Sequence, residues 1–528
     1  MTTALLSLPV LLPALGAGLS LLGMRRTLTR ALSTGVLAGV VACGAALLVL
    51  ADRDGPQALH AGGWPAPLGI TLVADRLSAL LLTVSALVAL AVLVFAIGQG
   101  TAEERHRSPA VFHPAYLVLV MGVGLAFLAG DLFNLFVAFE VMLAASYVLI
   151  TLNADENRIR AGMTYTIVSL TSSLLFVSLI ALVYAATGTV TLAQLGPRLA
   201  ELPDGLRSAF ALLLLAVIGI KAAIVPFHFW LPDSYPTAPA PITAVLAALL
   251  TKVGVYVLLR TQTLLFPRSG VWTLLACVAI ITMIVGILGA IAQDDINRLL
   301  SFTLVSHIGF MLFGLALFDT AGLTGTILYV VHHIVVQAAL FLVAGLVVGR
   351  TGTAALHRMA ERPSPGPLVV VLFALPALSL SGIPPFSGFV AKLALLRAGA
   401  AEGSPAAWAL AAAALLTSLL TLYAMTRVAT SAFTGRQTDG PADRRADHRP
   451  GRRAGHEEAQ EPSSAPPDTR HGRPRGSRSM LAAAAGMTAT GVVIALCAGP
   501  LARVGERAAG DLLRPDAYRS AVLGKEDR

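Results

Sequence analysis

The chain has 528 residues, 56% of them hydrophobic and 13% charged, with a mean hydropathy of +0.77; this profile excludes an ordinary soluble globular protein and describes a polytopic membrane protein. Its net charge of +9 comes largely from arginines in loops and in one late insert, so it bears on orientation and lipid headgroups, and nothing resembles a nucleic-acid module. Cys43, Cys277 and Cys497 stand singly in apolar runs without metal or disulfide spacing and read as packing residues.

A helix crosses the hydrocarbon in about 20 apolar residues. On that basis the sequence predicts an all-α polytopic membrane protein with about 14 transmembrane helices. They fall near 4–23, 31–51, 77–98, 111–130, 132–152, 162–187, 209–231, 241–261, 271–292, 299–318, 323–349, 367–397, 406–434 and 480–501. The first has no charged segment before it and is followed by Arg25, Arg26 and Arg30, which reads as an uncleaved span with the N-terminus outside. The expected cytoplasmic loops then also hold Arg105, Arg107, Arg158, Arg160, Arg298, Arg350, Arg358 and Arg362. Both termini are expected outside.

The fifth span, DLFNLFVAFEVMLAASYVLI, contains one intramembrane acid, Glu140. The seventh is interrupted at Pro226 and Pro232, with Lys221 just before the break, and the eighth carries Lys252 near mid-depth. His307 lies in the tenth span and the adjacent pair His332 and His333 in the eleventh. The twelfth is interrupted in SLSGIPPFSGFVAK by Pro384 and Pro385, ahead of Lys392. Broken helices in corresponding halves point to an inverted repeat, because unwound backbone is tolerated only where it is buried in protein or lines a polar cavity. Spans 4–8 are therefore paired with spans 9–13 as two inverted five-helix repeats. The expected domains are 1–110 (peripheral helices), 111–261 (first repeat), 271–434 (second repeat), 435–479 (disordered cytoplasmic insert) and 480–528 (last span and tail). The insert has almost no aliphatic residues, and its histidines, His448, His456 and His471, have no ligand spacing.

The distribution of lysine is informative. The chain has four lysines: Lys525 in the tail, and Lys221, Lys252 and Lys392 within apolar runs. Arginine keeps its proton in a protein, whereas an ammonium taken out of water can release it. A bias toward arginine codons would explain the scarcity of lysine but not its placement. A charge at mid-membrane costs at least about 2.5 to 3.5 kcal/mol and persists where it has work to do. The natural partner of Glu140 is Lys221, a pair able to exchange a proton when its members separate. Histidine both accepts and donates a proton near neutral pH. Neighbours on a helix point about 100° apart, so at most one of His332 and His333 need face a given path. Glu140, Lys221, Lys252, one of these histidines and Lys392 together predict a row of titratable groups across the membrane interior, with water bridging the gaps. No phosphate-binding loop, dinucleotide-binding glycine pattern or Cys/His ligand set is present. No cofactor, metal site or enzyme active site is expected.

The segments DLFNLFVAFEVMLAASYVL, KAAIVPFHFWLPDSYPTAPAPITAVLAALLTKVGVY, QDDINRLLSFTLVSHIGFM and GIPPFSGFVAKL resemble, in order, the antiporter-like proton-translocating subunits shared by respiratory complex I and the Mrp-type cation/proton antiporters. The likeness spans roughly residues 60 to 430. DLFNLFV and LPDSYPTAPAPITA are most similar to the D-type subunits of the Mrp Na⁺/H⁺ antiporter. The resemblance implies that Glu140 and Lys221 form the coupling ion pair, Lys252 the central relay lysine and Lys392 the terminal one. One position departs: Gln337 stands where many relatives carry a lysine, so His332 or His333, with water, is expected to take over its part.

The expected function is that of a proton-translocating subunit of a multisubunit Na⁺/H⁺ antiporter in a bacterial plasma membrane, a transporter subunit and not an enzyme. Its partners would be other membrane subunits and lipid, with protons and Na⁺ as cargo. The alternative is a proton-pumping membrane subunit of a redox enzyme, either complex I-like NADH:quinone oxidoreductase or a membrane-bound hydrogenase. A stand-alone solute transporter is disfavoured, because no pocket-like set of polar residues accompanies the charges. Hard cations want several oxygen ligands, and Glu140 has no cluster around it, so the sodium path is expected in a partner.

Overall fold

The computed structural model describes residues 2–103, 111–152, 156–267, 271–434 and 477–524. The first part of the chain forms α1 (Thr2–Ser20), α2 (Arg26–Asp54), an antiparallel hairpin of β1 (Gln57–His60) and β2 (Thr71–Ala74), and α3 (Arg76–Gln99). There follow α4 (Phe112–Leu128), α5 (Leu132–Thr151), α6 (Glu156–Thr187), α7 (Leu192–Ala200), α8 (Asp204–Ala222), α9 (Trp230–Ser234) and α10 (Ala240–Leu264). The next group is α11 (Trp272–Ile291), α12 (Ile296–Leu317), α13 (Thr320–Thr351), α14 (Leu356–Met359), α15 (Pro367–Ser381), α16 (Ser387–Glu402) and α17 (Pro405–Phe433). The chain closes with α18 (Ser477–Leu496), α19 (Ala498–Leu513) and α20 (Asp516–Leu523). Among the described residues, 11 helices are long and apolar enough to cross a membrane, and α1, α4 and α15 are shorter apolar helices. The predicted spans are thus all present. The insert at 435–479 lies outside the described residues except for its last three, which begin α18.

Backbone ends are costly in an apolar surrounding, and the helices begin where the sequence supplies a partner. Asp75 caps α3 in a reciprocal capping box with Ser78. Asp131, Asp295 and Asp319 accept backbone N–H groups at the starts of α5, α12 and α13.

Two predicted spans, 209–231 and 367–397, are split. Helix α8 stops at Ala223 in the left-handed region (φ 57°) and α15 stops at Gly382 (φ 88°). Pro226 in one case and Pro384–Pro385 in the other cannot donate to a continuing helix and clash with the preceding turn. The carbonyls freed by each break are taken up differently. Ile220 O accepts the indole N–H of Trp230 at 3.0 Å, whereas Leu380 O and Ser381 O accept the Lys392 ammonium at 2.9 and 3.1 Å.

The two halves share a local device that the sequence carries as a repeated Thr-Gly-Thr. After α6, Thr187–Gly188–Thr189 lead into α7, and after α13, Thr351–Gly352–Thr353 lead into α14. Thr187 and Thr351 donate back to Val183 O and Val347 O, while Thr189 and Thr353 hydroxyls accept the N–H of Thr191 and Ala355. Each segment then pairs with the turn before α5 or α12: Leu132 N to Val190 O and Leu192 N to Gly130 O, against Ile296 N to Ala354 O and Leu356 N to Asp294 O. Asp131 and Asp295, at identical sequence spacing to the threonines, occupy equivalent places.

Helix α13 is the axis of the molecule, its central window wholly buried, with α10 and α12 nearly so. It packs against α3, α10, α12, α15, α16, α18 and α19. Lipid tails give no apolar drive for helices to associate, so close approach through small residues does that work. A Cβ on Gly286 of α11 would lie 2.4 Å from Ser306 N, and one on Gly254 of α10 2.9 Å from Ala222 Cβ. At one end of the bundle Arg260 of α10 pairs with Asp75 at 2.6 Å, both buried, with the Arg260 guanidinium over the rings of Tyr256 and Tyr518. Ion pairs Arg76–Asp511 and Arg507–Asp52 fasten α19 over the same end.

Candidate functional site

Helices α5, α6 and α8 bring the first group together. Glu140 of α5 and Lys221 near the end of α8 are both half-buried, and they are joined through a third side chain rather than head to head. The hydroxyl of Ser173, on α6, donates to Glu140 Oε1 and accepts from Lys221 Nζ at 3.1 Å. The ammonium also lies 4.7 Å from the centre of the Phe139 ring. Beside it is a cavity of about 40 Å³ lined by Phe139, Tyr165, Ser169, Lys221, Trp230 and Leu250 among others. That is room for a water molecule.

The middle group is fully buried. Lys252 of α10 donates to Ala247 O at 2.7 Å and lies within electrostatic reach of His307 and His333. His307 of α12 is held at both nitrogens: Nε2 is 3.3 Å from Thr421 Oγ1 and Nδ1 is 2.7 Å from the Tyr329 hydroxyl. Thr421 spends its only hydroxyl hydrogen on Thr417 O. The neutral imidazole therefore donates from Nε2 and accepts at Nδ1 from Tyr329. His333 lies tilted against His307, with ring centres 5.3 Å apart and planes at 38°. Among the described residues neither of its nitrogens has a hydrogen-bond partner, nor does the amide oxygen of Gln337 one turn later. Gln337 is anchored from its nitrogen to Leu300 O at 3.0 Å.

The far group lies at the second broken helix. His332 Nδ1 is 2.9 Å from Ser387 Oγ at the start of α16, and Ser387 is 3.2 Å from Ser379 Oγ of α15. Lys392, 5% exposed, places its ammonium against the carbonyl end of α15 as described, where the helix dipole is negative. It sits 4.8 Å from the Phe310 ring centre, and Phe310 stacks on Tyr329. His332 and His333 thus face different neighbours, as adjacent helical positions must.

All seven titratable positions that the sequence places within the spans, Glu140, Lys221, Lys252, His307, His332, His333 and Lys392, are in protein interior or half-buried, and none sits alone. The hydroxyls between them, Ser173, Tyr329, Thr421, Ser379 and Ser387, were not singled out. Only a weak signal marked them: serine, threonine and tyrosine are ordinary residues of membrane helices, and which of them reach across to a neighbour depends on packing.

A sequence-family profile described as "NADH:quinone oxidoreductase/Mrp antiporter, TM" matches residues 129–421. The chain belongs to this family. Glu140, Ser173, Lys221, Lys252, His307, His332, His333 and Lys392 all fall within the matched segment. Curated family relatives include proteins named as the D subunit of a Na(+)/H(+) antiporter, one from Alkalihalophilus pseudofirmus, 39% identical over 82% of this chain and 87% of the relative, and one from Bacillus subtilis, 37% identical over 81% and 87%. Among solved structures, a chain of the Mrp complex from Dietzia sp. DQ12-45-1b is 34% identical with a TM-score of 0.85, covering 99% of this chain and 100% of that one. A chain of respiratory complex I from Thermus thermophilus, at 24% identity and a TM-score of 0.73 over 96% of this chain and 99% of that one, shares the fold.

Proposed function

We propose that this chain is the D-type, proton-translocating membrane subunit of a multisubunit Na⁺/H⁺ antiporter of a bacterial plasma membrane, and that residues 111–261 and 271–434 are its two working halves. The names and coverage of the family relatives support the assembly. The observation that carries the mechanism is the succession of buried and half-buried titratable groups, three of its steps joined by hydroxyls: Glu140–Ser173–Lys221, then Lys252, then His333 beside His307 and Tyr329, then His332–Ser387 and Lys392. In an interior this apolar, an amine or imidazole carries charge only while it holds a proton. A proton arriving on Lys252 repels charge from His307 and His333, which Lys392 also faces from the other side, so the charge advances by alternate loading of neighbours. The unpartnered nitrogens of His333 and the Gln337 oxygen are where water molecules complete the row. Gln337 holds no proton itself, and His333, one turn away, serves in its place. Among the described residues no group of three or more His, Cys, Asp or Glu could hold a cation, which favours a sodium path in another subunit.

The test is transport in everted vesicles from an antiporter-deficient host expressing the whole gene cluster. Sodium is expected to dissipate an imposed pH gradient with no respiratory donor present. The Lys221→Arg variant keeps the charge and holds its proton, so its rate is expected to fall by about 10²-fold, the usual worth of a positioned proton-transfer group. Full activity of that variant would reduce Lys221 to a structural cation, and dependence of the transport on a redox donor would favour the redox-linked relatives.

A further inference from the structure

The contact between Glu140 and Lys221 runs through an atom the row of charges does not include. A serine or threonine within a helix ordinarily turns its hydroxyl back on the carbonyl four residues earlier. On this same helix Thr171 does so to Ile167 O and Ser178 to Leu174 O, both at 2.8 Å. Ser173 does not. Its side chain, 4% exposed, leaves the α6 backbone and stands between α5 and α8, with the carboxylate of Glu140 on one side and the ammonium of Lys221 on the other. A hydroxyl has one hydrogen to give and lone pairs to accept with. Ser173 gives its hydrogen to Oε1 and accepts one from Nζ, so N–H, O–H and carboxylate form one unbroken donor-to-acceptor chain.

We propose that the Ser173 hydroxyl is the relay through which Lys221 and Glu140 exchange a proton, so that the coupling unit has three members. The inference rests on the reading of Glu140 and Lys221 given above. In the transfer, the Nζ–H bond breaks as Oγ takes that proton, and the original Oγ–H bond breaks as Oε1 takes the other. The products are a neutral amine, a neutral carboxylic acid and an unchanged serine, with no co-reactant consumed. The relay keeps ammonium and carboxylate from closing into a static pair of the kind that would hold its proton in place. The reverse transfer runs back through the same hydroxyl as it stands, whereas a second transfer in the forward direction, once Lys221 is reloaded and Glu140 emptied, requires the hydroxyl to rotate first. On the far side of Lys221, the cavity lined by Tyr165 and Ser169 lies along the same face of α6, since residues 165, 169 and 173 succeed one another by helical turns. It gives the emptied amine a place from which to be reloaded.

The test compares Ser173→Thr with Ser173→Val in the assembled complex, two side chains of one shape that differ by a hydroxyl against a methyl. Sodium-driven dissipation of the pH gradient is measured in everted vesicles, with complex content read from native gels. Threonine is expected to retain the wild-type rate within about twofold and valine to lose about tenfold or more, the worth of a charge-assisted hydrogen bond, with the apparent KM for sodium unchanged. Ser173→Ala, which adds no volume, gives the same reading wherever valine lowers assembly. Equal rates for the threonine and valine variants at equal complex content overturn the proposal. Glu140→Gln is run alongside: wild-type transport by that variant removes the parent reading of the site, while its loss together with a fully active Ser173→Val sinks only the relay.

Discussion

Replacing Gly382 by alanine should displace Lys392, the last member of the proposed row, without removing it. Gly382 ends α15 at φ 88°, and the left-handed region costs a residue with a Cβ about 1–2 kcal/mol. The added Cβ would also fall 2.8 Å from Lys392 Cδ and 3.4 Å from its Nζ, so the stem of Lys392 must move. That ammonium is positioned by its bonds to Leu380 O and Ser381 O, each worth about 1.5–3 kcal/mol as a charged hydrogen bond. Losing one of them lowers the occupancy of the working position by about tenfold or more. Gly403→Ala is the control. Gly403 has φ 74° and its nearest neighbour is a carbonyl at 3.9 Å, so it bears a similar backbone cost and touches no member of the row. Both variants are expected to lower the melting temperature of the purified complex. Only Gly382→Ala should also cut sodium-driven proton flux in vesicles, by about tenfold. Equal fluxes in the two variants would refute the idea that the seat of Lys392 on the end of α15 governs its transfer.

Two further outcomes are expected. Arg260→Met strands the buried Asp75 carboxylate at the start of α3, a change that costs about 3–5 kcal/mol; the yield of assembled complex should collapse and recover in part in Arg260→Met/Asp75→Ala, and an equal loss in both would show the two residues to be uncoupled. His333→Ala should slow proton flux, and Gln337→Lys, which puts an amine one turn away on the same face of α13, should restore it in that background; wild-type flux in His333→Ala removes that histidine from the row.

The spans were legible in the sequence to a greater depth than their contacts. Apolar length alone placed every membrane helix, because a span must be about 20 residues long to cover the hydrocarbon. Prolines located both broken helices, but not where each half ends: that depended on Ala223 and Gly382 turning left-handed and on Trp230 or Lys392 reaching the freed carbonyls. The hairpin of β1 and β2, the short helices α7 and α14 and the terminal helices α19 and α20 gave no hydropathy signal, being too short or too polar. The repeated Thr-Gly-Thr was legible and would have set the two halves in register. The buried pair of Asp75 and Arg260 was not, since each lies at the end of a span where a charge is unremarkable.

What the sequence by itself determined is which titratable groups are sunk in apolar helices. Three lysines, one glutamate and the histidines lie in runs too apolar to hold an idle charge, and that follows from the cost of burial whatever the packing. Which groups touch is another matter. That Ser173 stands between Glu140 and Lys221, that Tyr329 and Thr421 set the tautomer of His307, and that His332 turns to Ser387 while its neighbour turns to His307 are decided by which faces of α5, α6, α8, α12, α13 and α16 meet. A hydroxyl costs little in a membrane helix and so leaves no mark in composition. Its partner is chosen only when helices distant in sequence close upon one another.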